Sequence, residues 1–328
     1  MIDILTGTWR AQALYAAAAL GLPDHVAHGY VSPASLALEA RADEESLRRL
    51  MRLLVVLGLF EADDVGSPVY RLTPAGELLR GDVPGSLRDM CLIYGEEFHR
   101  AWGSVVPAVR SGGTGFAEVF GMPLADYLRD VPGAGAKFQA AMSAGGAVFD
   151  EFSRLADLSS SDTVVDVGGG SGTLLSAVLR DHPRLRGVLF DLPSVVERAG
   201  EVLGSVFPPE RTSVVAGDVF DAVPEGADTY MLSRVLQDWG EKECSKILAN
   251  CRRAMSGGSR LLVLERVVDI DRSSVLPVMW DVHLMMVAGG RERTIDEYRS
   301  LFQDSGFRLE QCVPLPLENS LLVASPTP

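Results

Sequence analysis

A glycine-rich turn is the part of this sequence best suited to hold a ligand. The run from Thr163 to Val167 is rich in β-branched residues, which predicts a buried strand. Gly168, Gly170 and Gly172 follow it, and a helical pattern begins at the next residue. Because glycine has no Cβ atom, a ligand can approach this backbone closely, and the N–H groups of the helix start suit a polar or anionic group. The turn therefore predicts a nucleotide-like ligand.

Three aspartates fall at or near the ends of successive predicted strands. Asp166 precedes the glycines, Asp191 ends the next strand, and Asp218 ends the third. In a parallel sheet these carboxyl ends share one edge, where a carboxylate such as Asp191 can accept both hydroxyls of a ribose. Thr173 stands where the dinucleotide pattern has its third glycine, and a cationic sulfonium suits an acid-lined pocket better than a pyrophosphate does. We therefore expect S-adenosylmethionine to bind here.

The second half of the chain alternates strand and helix patterns, which is typical of a doubly wound sheet. The predicted strands are TVVDV, GVLFDL, TSVVAGD, DTYMLSRV and SRLLVLERVV. Two further strands, FRLEQCVPLP and NSLLVASP, are joined by a short turn and are therefore expected to pair antiparallel. The predicted fold class is α/β: a Rossmann-like methyltransferase sheet, mostly parallel, with a C-terminal antiparallel hairpin.

The N-terminal part of the chain has a different organisation. Residues 1–30 predict helices that are largely buried, and an amphipathic helix with leucines three and four residues apart follows Asp43. The segments FEADD and VYRLTP then predict a short β-ribbon, which completes a winged-helix pattern. A winged helix can bind DNA, but the formal net charge of −14 favours packing or dimerisation instead.

We divide the chain into three predicted parts. Residues 1–85 form a winged-helix-like dimerisation domain, and residues 86–155 form a helical connector that contributes to the acceptor pocket. Residues 156–328 form the catalytic domain that binds S-adenosylmethionine. The connector is rich in aromatic and methionine side chains, which fit either a substrate pocket or ordinary core packing.

The composition argues against several classes of protein. An acidic chain is a poor partner for nucleic acid or an anionic membrane. Four cysteines without a CxxC pair are typical of reduced thiols in a cytoplasmic protein, and no group of side chains has the spacing of metal ligands. The apolar N-terminal run is short and is interrupted by Arg10 and Gln12, so we expect neither a signal peptide nor a membrane span.

Six blocks of the sequence, in the order DVGGGSG, FDLPSVV, AGDVF, RVLQDW, LLVLERV and GGRERT, carry a family resemblance. They resemble the class I S-adenosylmethionine-dependent O-methyltransferases of the plant caffeate and isoflavone type, and most of all their actinobacterial natural-product branch. The stretches LYAAAALGLPDHVAHG and LRRLMRLLVVLGLF resemble the dimerisation domain of that family. The resemblance implies a homodimeric enzyme that methylates a small aromatic acceptor, most simply at a phenolic oxygen.

The same resemblance implies roles for individual residues. Asp191 would bind the ribose, Asp218 would flank the adenine, and Ser233 falls where plant members carry a lysine that contacts the cofactor. The full set of implied cofactor contacts is Asp166, Gly168, Gly170, Gly172, Asp191, Leu192, Asp218, Val219, Phe220, Ser233 and Phe138. The implied acceptor contacts are Trp102, Met142, Asp238, Trp239, His283 and Met286.

One position departs from the family pattern. The general base of the family is the histidine of an L-H-D-W block, where this chain has Gln237. Glutamine has no group that titrates near neutral pH, so it can position an acceptor but cannot take its proton. The acids that orient the family's histidine are matched by Glu265 and Glu292. The predicted catalytic set is therefore Gln237, Glu265, Glu292 and His283.

Three explanations of this departure stay open. The acceptor can be an acidic phenol or a carboxyl-bearing aromatic that arrives ionised, so that proximity suffices. Another residue can be the base, namely His283, His99 or Glu265. The methylated atom can instead be nitrogen or carbon, or the chain can be a relative, such as a decarboxylase or hydroxylase, that binds the cofactor without methylating.

Overall fold

The computed structural model describes residues 1–63, 68–142, 144, 147–269 and 275–328. These residues belong to two compact units. The first unit comprises Met1–Gly103 and Ala125–Gly145, and the second comprises Ser104–Leu124 and Gly146–Pro328. The three-part division of the chain at residues 85 and 155 stays a prediction.

Both units contain α-helices and β-strands. In chain order, the α-helices are α1 (Ile2–Leu5), α2 (Gly7–Ala19), α3 (Leu22–Ala27), α4 (Pro33–Glu39), α5 (Glu44–Val56), α6 (Pro74–Glu77), α7 (Arg88–Ile93), α8 (His99–Trp102), α9 (Val105–Ser111), α10 (Gly115–Phe120), α11 (Leu124–Asp130), α12 (Ala134–Met142), α13 (Ala147–Leu155), α14 (Thr173–Asp181), α15 (Pro193–Val206), α16 (Glu241–Ala254), α17 (Val275–Val287) and α18 (Ile295–Asp304). The strands are β1 (Phe60–Ala62), β2 (Tyr70–Leu72), β3 (Thr163–Val167), β4 (Arg186–Asp191), β5 (Thr212–Ala216), β6 (Thr229–Ser233), β7 (Arg260–Val268), β8 (Arg293–Thr294), β9 (Phe307–Pro314) and β10 (Asn319–Pro326). A π-helical turn covers Tyr94–Phe98, and 3-10 turns cover Leu236–Asp238 and Pro316–Glu318. None of the described helices combines the length and the apolar character needed to span a membrane.

In the first unit, α2, α3, α4, α5 and the antiparallel ribbon β1–β2 pack around one hydrophobic core. Helix α5 begins where the Asp43 carboxylate accepts the N–H of Ser46 at 2.8 Å. Helix α4 begins at a capping box in which Ser32 and Ser35 each accept the backbone N–H of the other. Helices followed by a short ribbon confirm the predicted winged-helix-like N-terminal region.

The N-terminal helices expose large apolar side chains. Leu5 is 67% exposed and Trp9 is 68% exposed, and the two isoleucines of α1 are exposed as well. The prediction that residues 1–30 are largely buried is therefore wrong for α1 and for the start of α2. An apolar run predicts a covered surface but does not say which chain covers it, and an exposed apolar patch is typical of an interaction surface.

Among the described residues, one sheet of eight strands organises the second unit. Its order is β5-β4-β3-β6-β7-β10-β9, and β8 pairs with the end of β7. The strands from β5 to β7 in this order are parallel, whereas β10 lies antiparallel between β7 and β9. The predicted α/β sheet with a C-terminal antiparallel hairpin is confirmed.

Helices cover both faces of this sheet. Val165 and Val167 of β3 belong to a core that includes residues of α16 and α18, whereas Val164 belongs to one that includes residues of α13 and α14. The carboxyl ends of β3, β4 and β6 lie side by side, because the strand registers place Val167 next to Phe190 and Leu232. Several of the predicted cofactor residues follow these strand ends.

We expect Trp9→Glu to convert a dimer into a monomer, because it places a charge in the exposed apolar patch of α1 and α2. Light scattering coupled to size-exclusion chromatography measures the mass. Val206→Glu is the control, since Val206 is also 66% exposed but lies at the end of α15 in the other unit. A Trp9→Glu protein with the same mass and thermal stability as the wild type would contradict the expectation.

Candidate active site

The glycine turn after β3 has a backbone that only glycine adopts easily. Gly168, Gly170 and Gly172 have φ angles of +67°, +57° and +76°. A Cβ atom on Gly169 would lie 2.4 Å from Cδ1 of Leu189 and 2.8 Å from Oδ2 of Asp166. The turn therefore folds tightly over the end of β3, and the absence of side chains leaves its backbone open to a ligand.

The Asp166 carboxylate lies beneath this turn and is fully buried. Neither of its oxygens accepts a hydrogen bond of normal geometry from the described residues, although the backbone N–H of Leu175 partly stabilises its charge. Burial raises the pKa of Asp166 to about 7, the nearby charge of Asp191 contributes to the rise, and the Leu175 N–H opposes it. A buried carboxylate with so little compensation is costly, so this position favours a ligand that brings a cation or a hydrogen-bond donor.

Asp191 ends β4 on the other side of the turn. Its Oδ2 accepts the N–H of Gly170 at 2.8 Å, and its Oδ1 accepts the N–H of Leu192 at 2.7 Å. Burial nevertheless raises the pKa of Asp191. The two N–H groups fix the carboxylate at the turn and leave further lone pairs for hydroxyl groups, as ribose recognition requires. Leu192 itself is exposed.

The loop after β5 carries the third aspartate. Asp218 Oδ1 accepts the N–H of Phe220 at 2.8 Å, and the carbonyl of Val219 accepts a hydrogen bond from Asn250 at 2.6 Å. The Phe220 ring packs edge-on against Trp239, with the ring centroids 4.8 Å apart. An aromatic surface and a fixed carboxylate therefore stand together, and both are suited to hold an adenine.

The residues at these strand ends fit S-adenosylmethionine. The buried Asp166 carboxylate suits the ammonium group of its methionine part, and the Asp191 carboxylate suits its ribose. Ser233, also predicted to contact the cofactor, ends β6 and is partly buried. Within the described residues, no group of side chains could hold a metal ion.

Gln237 lies in the 3-10 turn that follows β6 and is 8% exposed. Its Oε1 has no hydrogen-bond partner among the described residues. The side chain hydrogen-bonds the carboxylate of Asp238, which is itself exposed. Gln237 therefore has a buried acceptor oxygen whose hydrogen-bonding capacity no described residue satisfies.

Two buried glutamates lie close to this turn. Glu265 Oε1 accepts the N–H of Leu236 at 2.8 Å and that of Gln237 at 3.4 Å, while its Oε2 accepts no hydrogen bond from the described residues. Glu292 is paired with Arg266, whose Nη1 lies 3.7 Å from its Oε1 and whose charge and hydrogen bond oppose the rise of its pKa. Burial raises the pKa of Glu265 well above its usual value and that of Glu292 to about 8.

His283 and Met286 lie on α17. His283 is buried, with its ring 5.2 Å from that of Trp280, and burial lowers its pKa to about 4, with a contribution from the charge of Arg266. A histidine with so low a pKa stays neutral at pH 7 and is a weak proton acceptor. Met286 is fully buried. The predicted acceptor contacts of both residues stay predictions.

The remaining predicted residues belong to the first unit. Trp102 ends α8, which begins at the exposed His99, and Phe138 and Met142 lie on α12. Their predicted roles as cofactor contact, acceptor contacts and alternative base stay predictions.

Sequence analysis did not single out Arg293, which the structure places at this site. Its guanidinium is fully buried and donates to the carbonyls of Leu236 and Trp239, at 2.9 and 2.8 Å. The only sequence signal was its membership of the block GGRERT. Spacing could not have shown that this block contacts a turn more than fifty residues earlier.

We expect Asp191→Ala to weaken binding of S-adenosylhomocysteine by about 1.5–3 kcal/mol, or roughly 10- to 150-fold, because hydrogen bonds to a charged group are lost. Isothermal titration calorimetry measures the affinity. Asp162→Ala is the matched control, since Asp162 is an exposed aspartate at the opposite end of β3. An unchanged affinity in Asp191→Ala would refute the assignment.

Comparison with known proteins bears on these assignments. Residues 102–308 match the O-methyltransferase domain family, and residues 2–82 match the O-methyltransferase dimerisation domain. The chain is 42% identical to a phenazine-1-carboxylate N-methyltransferase of Pseudomonas aeruginosa, with 99% of this chain and 96% of the relative covered. It is 39% identical to a 3-amino-4-hydroxybenzoate 4-O-methyltransferase of Streptomyces cremeus, with 99% and 89% covered.

Two further similarities extend this set. A mitomycin biosynthesis 6-O-methyltransferase of Streptomyces lavendulae is 34% identical, with 95% of this chain and 89% of the relative covered. The crystal structure of human N-acetylserotonin methyltransferase in complex with S-adenosylmethionine superimposes with a TM-score of 0.92 at 29% identity, covering 99% of this chain and 96% of that one. The predicted family and cofactor are confirmed, and the dimerisation-domain match supports a homodimer. The chain belongs to the O-methyltransferase family, and S-adenosylmethionine is its cofactor.

Proposed function

We propose that this methyltransferase acts on a hydroxyl oxygen of a small aromatic acceptor in natural-product biosynthesis. The observation that carries the proposal is the buried Gln237 Oε1, which has no described partner and lies on the same turn that Glu265 anchors. A hydroxyl group is a donor of the kind this oxygen lacks. The names of the two relatives that share about 40% identity both specify aromatic carboxylates as acceptors, which supports the same class here.

The chain's main contribution to the reaction is binding and orientation. When bound, S-adenosylmethionine supplies a methyl group on a positively charged sulfur. Asp166, Asp191 and the glycine turn hold the cofactor at the strand ends, and Gln237 accepts a hydrogen bond that orients the acceptor hydroxyl. Holding two reactants in line converts a bimolecular reaction into an effectively unimolecular one, which is a large part of the rate enhancement.

We assign Glu292 as the base that removes the single proton of the acceptor hydroxyl, after that O–H turns from its hydrogen bond with Gln237 toward the carboxylate. The Glu292 carboxyl is buried, and the guanidinium of Arg266, with Nη1 3.7 Å from Oε1, stabilises the ionised form. The preceding residue, Arg291, donates its N–H to the carbonyl of Gln237 at 2.7 Å, so Glu292 follows the backbone that holds the Gln237 turn. A base with a pKa of about 8 is well matched to a phenol near neutral pH.

A nitrogen acceptor is the second candidate. The relative that shares 42% identity is named an N-methyltransferase. A ring nitrogen or a neutral amine carries a lone pair and needs no base before methylation. This chemistry would also be compatible with Gln237 at the position of the family's histidine.

A transfer assay separates the candidates. The protein is incubated with S-adenosylmethionine labelled in its methyl group and with either 3-amino-4-hydroxybenzoate or phenazine-1-carboxylate, and the products are examined by mass spectrometry and NMR. Label on the hydroxyl oxygen supports the proposal, and label on nitrogen supports the second candidate. Cofactor that binds without transfer of label to any member of an extended panel of phenols and aromatic amines would contradict both.

We expect Gln237→His to keep or raise activity on phenolic acceptors, because the glutamates that would orient a histidine are both present. Gln237→Ala is the comparison, with kcat/KM for the acceptor lowered about tenfold by loss of one hydrogen bond. Steady-state kinetics at saturating cofactor measure both. A larger loss in Gln237→His than in Gln237→Ala, with unaltered cofactor affinity, would count against this account of the position.

We expect kcat/KM for a phenolic acceptor to fall as the pH drops through about 8, because a protonated Glu292 cannot take another proton. Glu292→Gln should lower kcat/KM about 100-fold and abolish this dependence. Glu310→Gln, on the exposed side of β9, is the control. If the same dependence persisted in Glu292→Gln, the proton acceptor would have to be another group.

A further inference from the structure

We propose that Arg293 is a positioning residue that sets the Gln237 side chain by clamping both ends of the segment Leu236–Trp239. This inference rests on the proposed function of Gln237. It concerns the segment Gly290–Arg293, called the strap, which lies between α17 and α18 and ends in β8.

The Arg293 side chain hydrogen-bonds backbone carbonyls on both sides of Gln237. Its Nη1 donates to the carbonyl of Leu236 at 2.9 Å, and its Nη2 donates to the carbonyl of Trp239 at 2.8 Å. Its Nε donates to Oε1 of Glu241 at 3.0 Å, at the start of α16. A fully buried guanidinium is costly unless its donors are satisfied, and each of the three nitrogens of Arg293 donates a hydrogen bond.

The rest of the strap holds the same segment from its backbone. The N–H of Arg291 donates to the carbonyl of Gln237 at 2.7 Å. A Cβ atom on Gly290 would lie 2.1 Å from that carbonyl oxygen and 2.9 Å from Cα of Asp238. The strap can approach this closely only because residue 290 is glycine. The strap also carries Glu292, but that residue has an anchor of its own, since its N–H donates to Oδ1 of Asp281 at 2.9 Å.

The backbone that leads into the segment is strained. Arg234 has a φ of +55°, which a residue with a side chain adopts at a cost. Glu265 holds the N–H groups of Leu236 and Gln237, and Arg293 holds carbonyls on either side. Opposed hydrogen bonds from a carboxylate and a guanidinium explain how the strained turn is maintained in one conformation.

A double-mutant cycle tests the inference. We expect Arg293→Lys to lower kcat/KM for the acceptor about tenfold, because an ammonium cannot reach both carbonyls, while the affinity for S-adenosylhomocysteine stays unchanged. In the Gln237→Ala background the same substitution should lower kcat/KM less than about threefold, because the side chain it positions is absent. Arg299→Lys, at an exposed arginine of α18, is the matched control.

A merely structural role would give equal losses in both backgrounds, or a parallel loss of cofactor affinity, and either result would overturn the inference. If Arg293→Lys does not fold, Glu241→Gln removes the charge of the carboxylate that Arg293 shares with Arg291 and should show the same dependence on Gln237. Amide hydrogen exchange gives a readout that needs no turnover: exchange should quicken in residues 236–239 and at the N–H of Arg291, which donates to Gln237. Unchanged exchange there would also refute the inference. If Gln237→Ala by itself left kcat/KM unaltered, the proposed role of Gln237 would fail, whereas the exchange result would still decide the clamp.

Discussion

The site depends on a carboxylate whose charge the folded protein compensates only weakly. Asp166 is fully buried at the end of β3, and none of the described residues donates a hydrogen bond of normal geometry to it, although the backbone N–H of Leu175 opposes the rise of its pKa. Burial of an uncompensated charge is among the most unfavourable arrangements in a protein, and the pKa of about 7 expresses that cost. The glycine turn packs directly on this carboxylate, since a Cβ atom at residue 169 would collide with Leu189 and with Asp166 itself. A cofactor with an ammonium group offsets this cost. Relief of the unfavourable burial of Asp166 therefore favours cofactor binding.

The acceptor side of the site has the same character. Glu265, Glu292 and Gln237 are all buried, and each keeps at least one oxygen that accepts no hydrogen bond from the described residues. The backbone of the segment Leu236–Trp239 is nevertheless held in place by hydrogen bonds, from Glu265 on one side and from the strap on the other. Rigid backbone combined with unsatisfied side chains is the arrangement expected of a preorganised site, because the ligand supplies the missing donors.

The features of the fold and of the site that depend on a short segment of sequence could be predicted. The glycines after a β-branched run, the aspartates at strand ends and the alternation of strands with helices each reflect the conformational preference of a short segment. Contacts between distant segments could not be predicted in this way. Arg293 reaches Leu236 only because α17 returns the chain and β8 pairs in parallel with the end of β7, and no periodicity of the sequence shows that pairing. The exposed Trp9 was also mispredicted, since hydrophobicity predicts that a face is covered but not by which molecule.

The most direct test of this account is the proton balance of cofactor binding. Calorimetric titration with S-adenosylhomocysteine at about pH 7, in buffers of different ionisation enthalpy, gives the number of protons exchanged. Burial raises the pKa of Asp166 to about 7, and an ammonium group beside it favours the ionised form, so the wild type should release protons on binding. Asp166→Asn should bind more weakly and release fewer. Equal proton release in the two proteins, with equal affinity, would contradict the claim that the cofactor satisfies this buried carboxylate.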